Sequence, residues 1–256
     1  MQTVLQSKKV RSTLLEQLIQ SPKLPLYLKQ LQETFAKEQQ KREEFYQTIT
    51  EADKVEFING EVVFQSPVKF QHDVASGALF SLIKTFVAIH NLGHVGHEKI
   101  MISLTRNDYE PDICFFSKAK SEQFFAEQMR FPAPDFIVEV LSDSTEAKDR
   151  DIKFIDYAAH GVGEYWIVDP SREFVEQYIL VAHEAEEPAL SLSKGCEQSE
   201  AISTEQSEQG GSYELLIKSN SGRLRSTVIT GFEISIRAIF DEKENLKALR
   251  EIMRGV

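Results

Sequence analysis

Cysteine is scarce in this chain. Only Cys114 and Cys196 occur among 256 residues. Two thiols cannot build a multi-bridge disulfide framework or a four-cysteine zinc site. Cys114 lies in a predicted core strand and Cys196 in a polar segment. We therefore expect both thiols to be reduced and the protein to be cytoplasmic.

Long apolar runs are also missing. No stretch approaches the roughly 18 consecutive apolar residues of a membrane span. The start, Met1–Lys9, is not followed by an apolar core of the signal-peptide kind. With 41% hydrophobic and 27% charged residues, the composition predicts a globular protein with a substantial core and no membrane partner.

Positive charge is in deficit, since 29 Lys and Arg face 40 Asp and Glu, for a net charge of −11. Strong nonspecific binding to nucleic acid needs clustered basic residues, so this balance argues against it. The acids are concentrated between residues 183 and 211, where Lys194 is the sole basic residue. The Glu, Gln, Ser and Gly content of 183–211 predicts a disordered insert.

The pattern of apolar residues divides the chain into a helical N-terminal extension, 1–50, and a domain, 51–256. In the extension, Leu14, Leu18, Leu28 and Leu31 follow helical spacing on either side of a proline break. The domain begins with a hairpin signal, Asn59-Gly60 between two apolar runs.

The rest of the domain alternates predicted helices and strands, which indicates an α/β fold with a mixed central sheet flanked by helices. Helices are predicted at 72–89, 149–160 and 242–253. Strands are predicted at 99–104, 112–116, 136–141, 164–168, 174–182, 213–217 and 231–240.

One acid stands inside a strand that is otherwise apolar enough to be buried. Glu139 is the only charged residue of Phe136–Leu141, and burying a lone carboxylate is costly unless a cation or strong donor meets it. Asp112 is at the start of the preceding apolar strand, directly after Pro111. Two acids on neighbouring strands predict a divalent metal site held by Asp112 and Glu139.

A lysine follows on the predicted helix 149–160. Asp149, Lys153 and Tyr157 occur at i, i+4 and i+8 and so share one face. Two carboxylates that hold Mg²⁺ and a lysine near the attacking water are the parts needed for phosphodiester hydrolysis. The alternative is a buried Glu139–Lys153 ion pair with Asp112 capping a turn, and spacing alone does not separate the two.

Ordered motifs across more than a hundred residues closely resemble the Uma-two family of endonucleases. The residues that carry the resemblance are Gly60–Val63, Ser66, Pro67, His72, Pro111, Asp112, Asp135–Ser142, Ser144, Thr145, Asp149, Lys153, Tyr157 and Gly161–Pro170. The family resembles a branch of the restriction-endonuclease-like PD-(D/E)XK superfamily. The resemblance implies a DNA substrate, Mg²⁺ with Mn²⁺ as a substitute, and Asp112 and Glu139 as the two metal acids.

One position departs from the superfamily pattern. The superfamily lysine stands two residues after the second acid, where this chain has Leu141. Lys153 resembles a relocated replacement. If its ammonium does not reach the same point in space, the protein is a catalytically inactive relative that binds nucleic acid or protein.

Two further residues occupy family positions near this site. His72, at the start of an apolar helix, and Glu61, in the second hairpin strand, could serve as metal ligand, phosphate contact or general base. The structural alternatives are that His72 helps to cap its helix and that Glu61 is a surface residue.

The leading hypothesis is a Mg²⁺-dependent endonuclease that cuts DNA and that could act as a homodimer. The rivals are the noncatalytic binding module and another carboxylate hydrolase such as a glycosidase, although the order Asp112, Glu139, Lys153 fits a nuclease better. A zinc site at His90, His94 and His97 lacks a cysteine or His-Glu-x-x-His partner pattern, and we expect a turn there. Trp166 is expected in the core rather than in a base-stacking surface.

Overall fold

The computed structural model describes residues 14–143, 145–182 and 211–255. The chain divides into two compact units, with the boundary between Phe64 and Gln65. The predicted insert, 183–211, lies outside the described residues except for Gly211.

The first unit combines helices with a hairpin. Residues 14–20 are helical, and helix α1 (Leu24–Thr48) is followed by strands β1 (Val55–Ile58) and β2 (Glu61–Phe64). Ile58 pairs with Glu61, and Asn59 and Gly60 both have positive φ, 51° and 80°. This is the two-residue turn that Asn-Gly favours, and the predicted hairpin is confirmed.

The C-terminal half of α1 packs on this hairpin. Phe45 stacks on Phe57 with ring centroids 5.5 Å apart, and Lys41 Nζ donates to the carbonyl oxygen of Gly60 at 3.2 Å. Arg42 and Phe45 are the buried residues of α1. Burial along this helix is therefore confined to its C-terminal half.

The second unit carries most of the secondary structure. Its helices are α2 (Phe70–His90), α3 (Lys118–Ser121), α4 (Glu146–Arg150), α5 (Ile152–Ala159), α6 (Arg237–Phe240) and α7 (Glu242–Arg254). Its strands are β3 (Gly93–His97), β4 (Met101–Ser103), β5 (Asp108–Tyr109), β6 (Ile113–Ser117), β7 (Arg130–Phe131), β8 (Phe136–Val140), β9 (Glu164–Asp169), β10 (Phe174–Val181), β11 (Ser212–Ser219), β12 (Arg223–Arg225) and β13 (Glu233–Ser235).

A six-stranded sheet forms the centre of this unit, in the order β11-β10-β9-β8-β6-β3. Strands β8 and β9 are parallel, and the other neighbours in this sheet are antiparallel. Strand β4 also pairs with β5 and β7, and β12 pairs with β13. The predicted α/β fold with a mixed sheet flanked by helices is confirmed.

The main core lies on one face of this sheet. Phe136, Val138 and Val140 of β8 pack in one cluster with Leu79 and Leu82 of α2. Trp166 of β9 is also fully buried there, as predicted. Glu139 therefore points to the opposite face, because side chains alternate along a strand.

Helix α2 is, among the described residues, the one helix long and apolar enough to cross a membrane by length and composition. Core helices of globular proteins have the same composition. Leu79, Leu82, Ile83 and Val87 are buried in the core described above, and this burial accounts for the hydropathy of α2.

Three predicted elements were wrong in detail. The helix predicted at 149–160 is two helices, because Asp151 leaves the helical region with φ −123° and ψ −88°. Most of the predicted strand 231–240 is not strand, since only β13 forms and α6 follows it. The turn expected around His94 is strand β3, in which Gly96 pairs with Cys114 of β6. Glycine and histidine give little strand signal, so pairing with a core strand decides the conformation.

Glu164 connects β9 to the segment that precedes β13. Its carboxylate is fully buried. It accepts hydrogen bonds from Trp166 Nε1, Gln177 Nε2, Ser226 Oγ, Thr227 N, Thr227 Oγ1 and Val228 N, at 2.5–3.0 Å. Such saturation offsets the cost of burying the charge.

We predict that Glu164→Gln lowers the free energy of unfolding by roughly 3 kcal/mol, because the new amide group would place donors against donors. Denaturant unfolding of the variant measures this loss. Glu214→Gln, at an exposed position of β11, is the matched control and should leave stability within about 0.5 kcal/mol. Equal stability of both variants would contradict the structural role of Glu164.

Candidate active site

Strands β6 and β8 bring the two predicted metal acids together. Ile113 pairs with Val138 in antiparallel register, and continuing this register places Asp112 opposite Glu139. Asp112 Oδ2 accepts a hydrogen bond from the backbone N–H of Val140 at 2.7 Å. Both carboxylates are buried.

Lys153 lies between two carboxylates. Its Nζ is 3.1 Å from Glu139 Oε1 and 3.3 Å from Asp149 Oδ1. Tyr157 donates its hydroxyl to the same Glu139 oxygen at 3.0 Å. Asp149, Lys153 and Tyr157 therefore converge as their spacing predicted, although Asp149 belongs to α4 and the other two to α5. Lys153 and Glu139 are close together, as predicted. This contact agrees with both the catalytic interpretation and the structural ion-pair interpretation.

His72 lies beside Asp112, whereas Glu61 is exposed in the first unit. His72 is buried in the first turn of α2, with Nε2 3.2 Å from Asp112 Oδ2. Its side chain thus faces a candidate metal acid. Glu61 is an exposed residue at the start of β2, in the first unit. Its role stays a prediction.

Two tyrosines from distant parts of the chain contact Lys153 or Asp149, and spacing in the sequence does not predict them. Lys153 Nζ lies 5.8 Å from the ring centre of Tyr109, and the Tyr109 ring meets the Tyr157 ring edge to face at 5.3 Å. Tyr165 donates its hydroxyl to the carbonyl oxygen of Asp149 at 3.0 Å. Only the position of Tyr109, three residues before Asp112, hinted at this arrangement.

The hydroxyl of Tyr109 is held by the carboxylate of Asp156. Its hydroxyl and Asn107 Nδ2 both donate to Asp156 Oδ2, at 2.8 and 2.7 Å. Burial acts against ionisation of Asp156, but hydrogen bonds from His160, Asn107 and Tyr109 lower the pKa of its carboxyl. Tyr109 therefore donates to a charged acceptor, which fixes its ring beside Lys153.

Acidic side chains outnumber basic ones around Lys153. Asp112, Glu139 and Asp149 are three buried carboxylates near this buried lysine. Burial raises the pKa of Tyr165, and the charges of Glu139, Asp149 and Asp112 raise it further. Burial raises the pKa of Cys114 to about 12, with a smaller contribution from Glu139. A bound cation would offset this surplus of negative charge.

These donors fit a hard divalent ion better than zinc. Carboxylate oxygens on adjacent strands suit Mg²⁺, which keeps several waters rather than requiring an all-protein cage. Within residues 14–143, 145–182 and 211–255, no three His, Cys, Asp or Glu side chains are grouped to hold a metal. Asp112 and Glu139 would thus share the ion with water or substrate oxygens. The grouping required for a zinc site at His90, His94 and His97 is likewise not found there.

Helix α4, which carries Asp149, is anchored to β10 by an ion pair. Arg150 donates to both oxygens of Glu176, at 2.6 and 3.3 Å. Lys218 and Tyr178 contact the same carboxylate at 2.7 Å. Burial acts against ionisation of Glu176, but these partners lower its pKa to about 2.

The comparisons with known proteins identify the family. A family model described as "Uma2: Putative restriction endonuclease" matches residues 42–210, more than half of the chain. The chain belongs to the Uma2 family. This confirms the resemblance found in the sequence.

A solved structure shows the same fold as this Uma2 protein. It is described as a "putative nuclease belonging to DUF820 from Anabaena variabilis ATCC 29413" and aligns with a TM-score of 0.57 at 15% identity. The alignment covers 81% of this chain and 97% of that one. A comparison with curated proteins gives no match.

We predict that acid weakens the anchor of α4 within a defined pH range. The folded-state pKa of Glu176 lies near 2, below its ordinary value of 4.5, so its stabilising contribution is complete above about pH 4.5 and lost as the pH falls toward 2. Glu176→Gln should therefore be less stable than the parent protein at pH 6, with the difference shrinking toward pH 2. Urea unfolding at several pH values measures this.

The control for this prediction is Glu122→Gln, which alters an exposed pair with Lys118 at 3.9 Å. Exposed pairs contribute little, so its pH profile should follow that of the parent. A Glu176→Gln profile parallel to the parent profile would show that the anchor does not contribute to stability.

Proposed function

We propose that this Uma2 protein is a Mg²⁺-dependent endonuclease that hydrolyses phosphodiester bonds of DNA. Family and fold support a restriction-endonuclease-like nuclease. The main support for Mg²⁺-dependent hydrolysis of DNA is the buried contact of Lys153 with Glu139. Asp112 lies beside this contact, on the neighbouring strand.

In this proposal the two acids hold the ion, with Mn²⁺ as a substitute. Asp112 and Glu139 supply carboxylate oxygens, and a bound divalent ion stabilises the charge that develops on the phosphate. The backbone N–H of Val140 and the imidazole Nε2 of His72 both contact Asp112 Oδ2 and fix the orientation of this carboxylate. Tyr157 fixes the orientation of Glu139.

Lys153 takes the place of the superfamily lysine. It reaches Glu139 from α5, whereas Leu141 occupies the usual position on the strand. Its ammonium lies beside Glu139, Asp149 and the Tyr109 ring. In this proposal it orients the attacking water or contacts the scissile phosphate. His72 is a candidate phosphate contact or base, and Glu61 remains a candidate from family position alone.

The net charge of −11 bears on how the substrate is held. A strongly acidic chain gains little from long-range attraction to a polyanion, so DNA must be bound through local contacts and through the metal ion. The cleavage rate should therefore depend more strongly on the presence of the divalent ion than on the ionic strength.

A second function is a binding module without catalysis. The observation that favours it is that Glu139, Lys153 and Asp149 already compensate one another within the protein. A buried ion pair of this kind has a structural role whether or not a metal binds. The partner would then be a nucleic acid or a protein.

We predict that the protein nicks or linearises plasmid DNA with Mg²⁺ or Mn²⁺ and that Lys153→Met lowers the cleavage rate by at least about 100-fold. Because Lys153→Met also leaves two buried carboxylates without their cation, it should reduce stability by about 3–5 kcal/mol. Cleavage and thermal unfolding must therefore be measured on the same preparation.

Two further variants separate chemistry from folding. Lys153→Arg keeps the charge and should recover stability more than activity, because a planar guanidinium cannot occupy the same point as an ammonium. Lys247→Met replaces a largely exposed lysine and should change neither. Full cleavage by Lys153→Met would remove this residue from the mechanism, and DNA binding without cleavage under any divalent ion would favour the binding module.

A further inference from the structure

Helix α1 carries a stripe of residues at heptad spacing, and only part of it is covered. Successive members are four and three residues apart, which is the spacing of a coiled-coil seam. The members of the stripe are Leu24, Leu28, Leu31, Phe35, Glu38, Arg42 and Phe45.

The second half of the stripe is buried against the hairpin of the same unit. Arg42 and Phe45 are the buried residues of the helix, and Phe45 stacks on Phe57. The Cγ of Glu38 lies so near Gly60 that a Cβ there would come within 2.8 Å of it. The hairpin thus occupies the space that a partner helix would need along residues 38–45.

The first half of the stripe is open to solvent. Leu24 is 37% exposed, Leu28 52%, Leu31 62% and Phe35 49%. Four large apolar side chains in a row on one helix face form a contiguous patch, and such patches mark interaction sites. In addition, most helices in proteins owe their stability to the packing of an apolar face.

The residues that flank the open half are uncharged. On its two sides stand Tyr27 and Thr34, and Pro25 and Gln32. The charged pair Lys29–Glu33, at 3.8 Å, lies elsewhere on the helix. Two copies of the patch can therefore meet without like-charge repulsion. A membrane surface fits less well, because interfacial helices have basic residues beside their apolar face.

We propose that residues 24–35 of α1 form an antiparallel helix pair with the same residues of a second copy of this chain. The pairing is antiparallel because a parallel partner would have to enter the space along residues 38–45 that the hairpin fills. In the antiparallel pair a two-fold axis passes between residues 29 and 30, so the interface is isologous. The seam is about 18 Å long at 1.5 Å per residue. The proposal holds whether or not the candidate active site cleaves DNA.

Sedimentation equilibrium of the full chain tests this proposal. We expect a reversible dimer with a dissociation constant below about 100 µM. The double variant Leu31→Glu with Phe35→Glu should weaken dimerisation at least tenfold, since it places four carboxylates in the seam. Gln30→Glu with Ala36→Glu adds the same charge at exposed positions outside the stripe and should not. Circular dichroism checks that both double variants keep their helix content.

Cysteine cross-linking tests the orientation. With Cys196 replaced by serine, Leu24→Cys with Phe35→Cys should form intermolecular disulfides, because residue 24 meets residue 35 of the other copy. Leu31→Cys alone should not, because residue 31 faces residue 28. A chain that stays monomeric at about 100 µM, a dimer equally sensitive to both glutamate pairs, or a dimer cross-linked by Leu31→Cys would each overturn the proposal.

Discussion

The contacts of Lys153 are the constraint on which the candidate site depends. An ammonium and two carboxylates, those of Glu139 and Asp149, are buried together. Each would be expensive to bury alone, and their mutual attraction offsets that cost only if the distances stay near 3 Å. Several features of the second unit hold these groups at such distances. They include the anchor of α4 on β10 and the hydrogen bonds of Tyr157 and Tyr165.

Parts of the fold and site that depend on local spacing could be predicted from the sequence. The Asn59-Gly60 hairpin needs only its own turn residues, and α2 needs only its wide apolar face. The proximity of Glu139 and Lys153 follows from strand alternation and helical periodicity once the two elements pack. Asp112 could be placed because its apolar strand repeats the pattern of the strand that holds Glu139.

Features that depend on residues distant in sequence could not be predicted in the same way. Tyr109 lies beside Lys153, and Tyr165 donates to the backbone of Asp149, only because β5 and β9 pack near α4 and α5. No short pattern encodes this packing. Strand β3 has two glycines and two histidines, and its pairing with β6 outweighs its low propensity. The break at Asp151 was hidden because Asp149, Lys153 and Tyr157 keep helical spacing across it.

The position of the lysine has a consequence for how the protein folds. Neighbouring carboxylates repel one another unless a cation offsets their charge. Here Lys153 is a counterion that belongs to the chain and lies at Glu139 in the folded protein. The second unit therefore has a cation at this carboxylate without any bound metal. A divalent ion held as proposed would have to compete with Lys153 for Glu139, and this competition would lower the affinity for the ion.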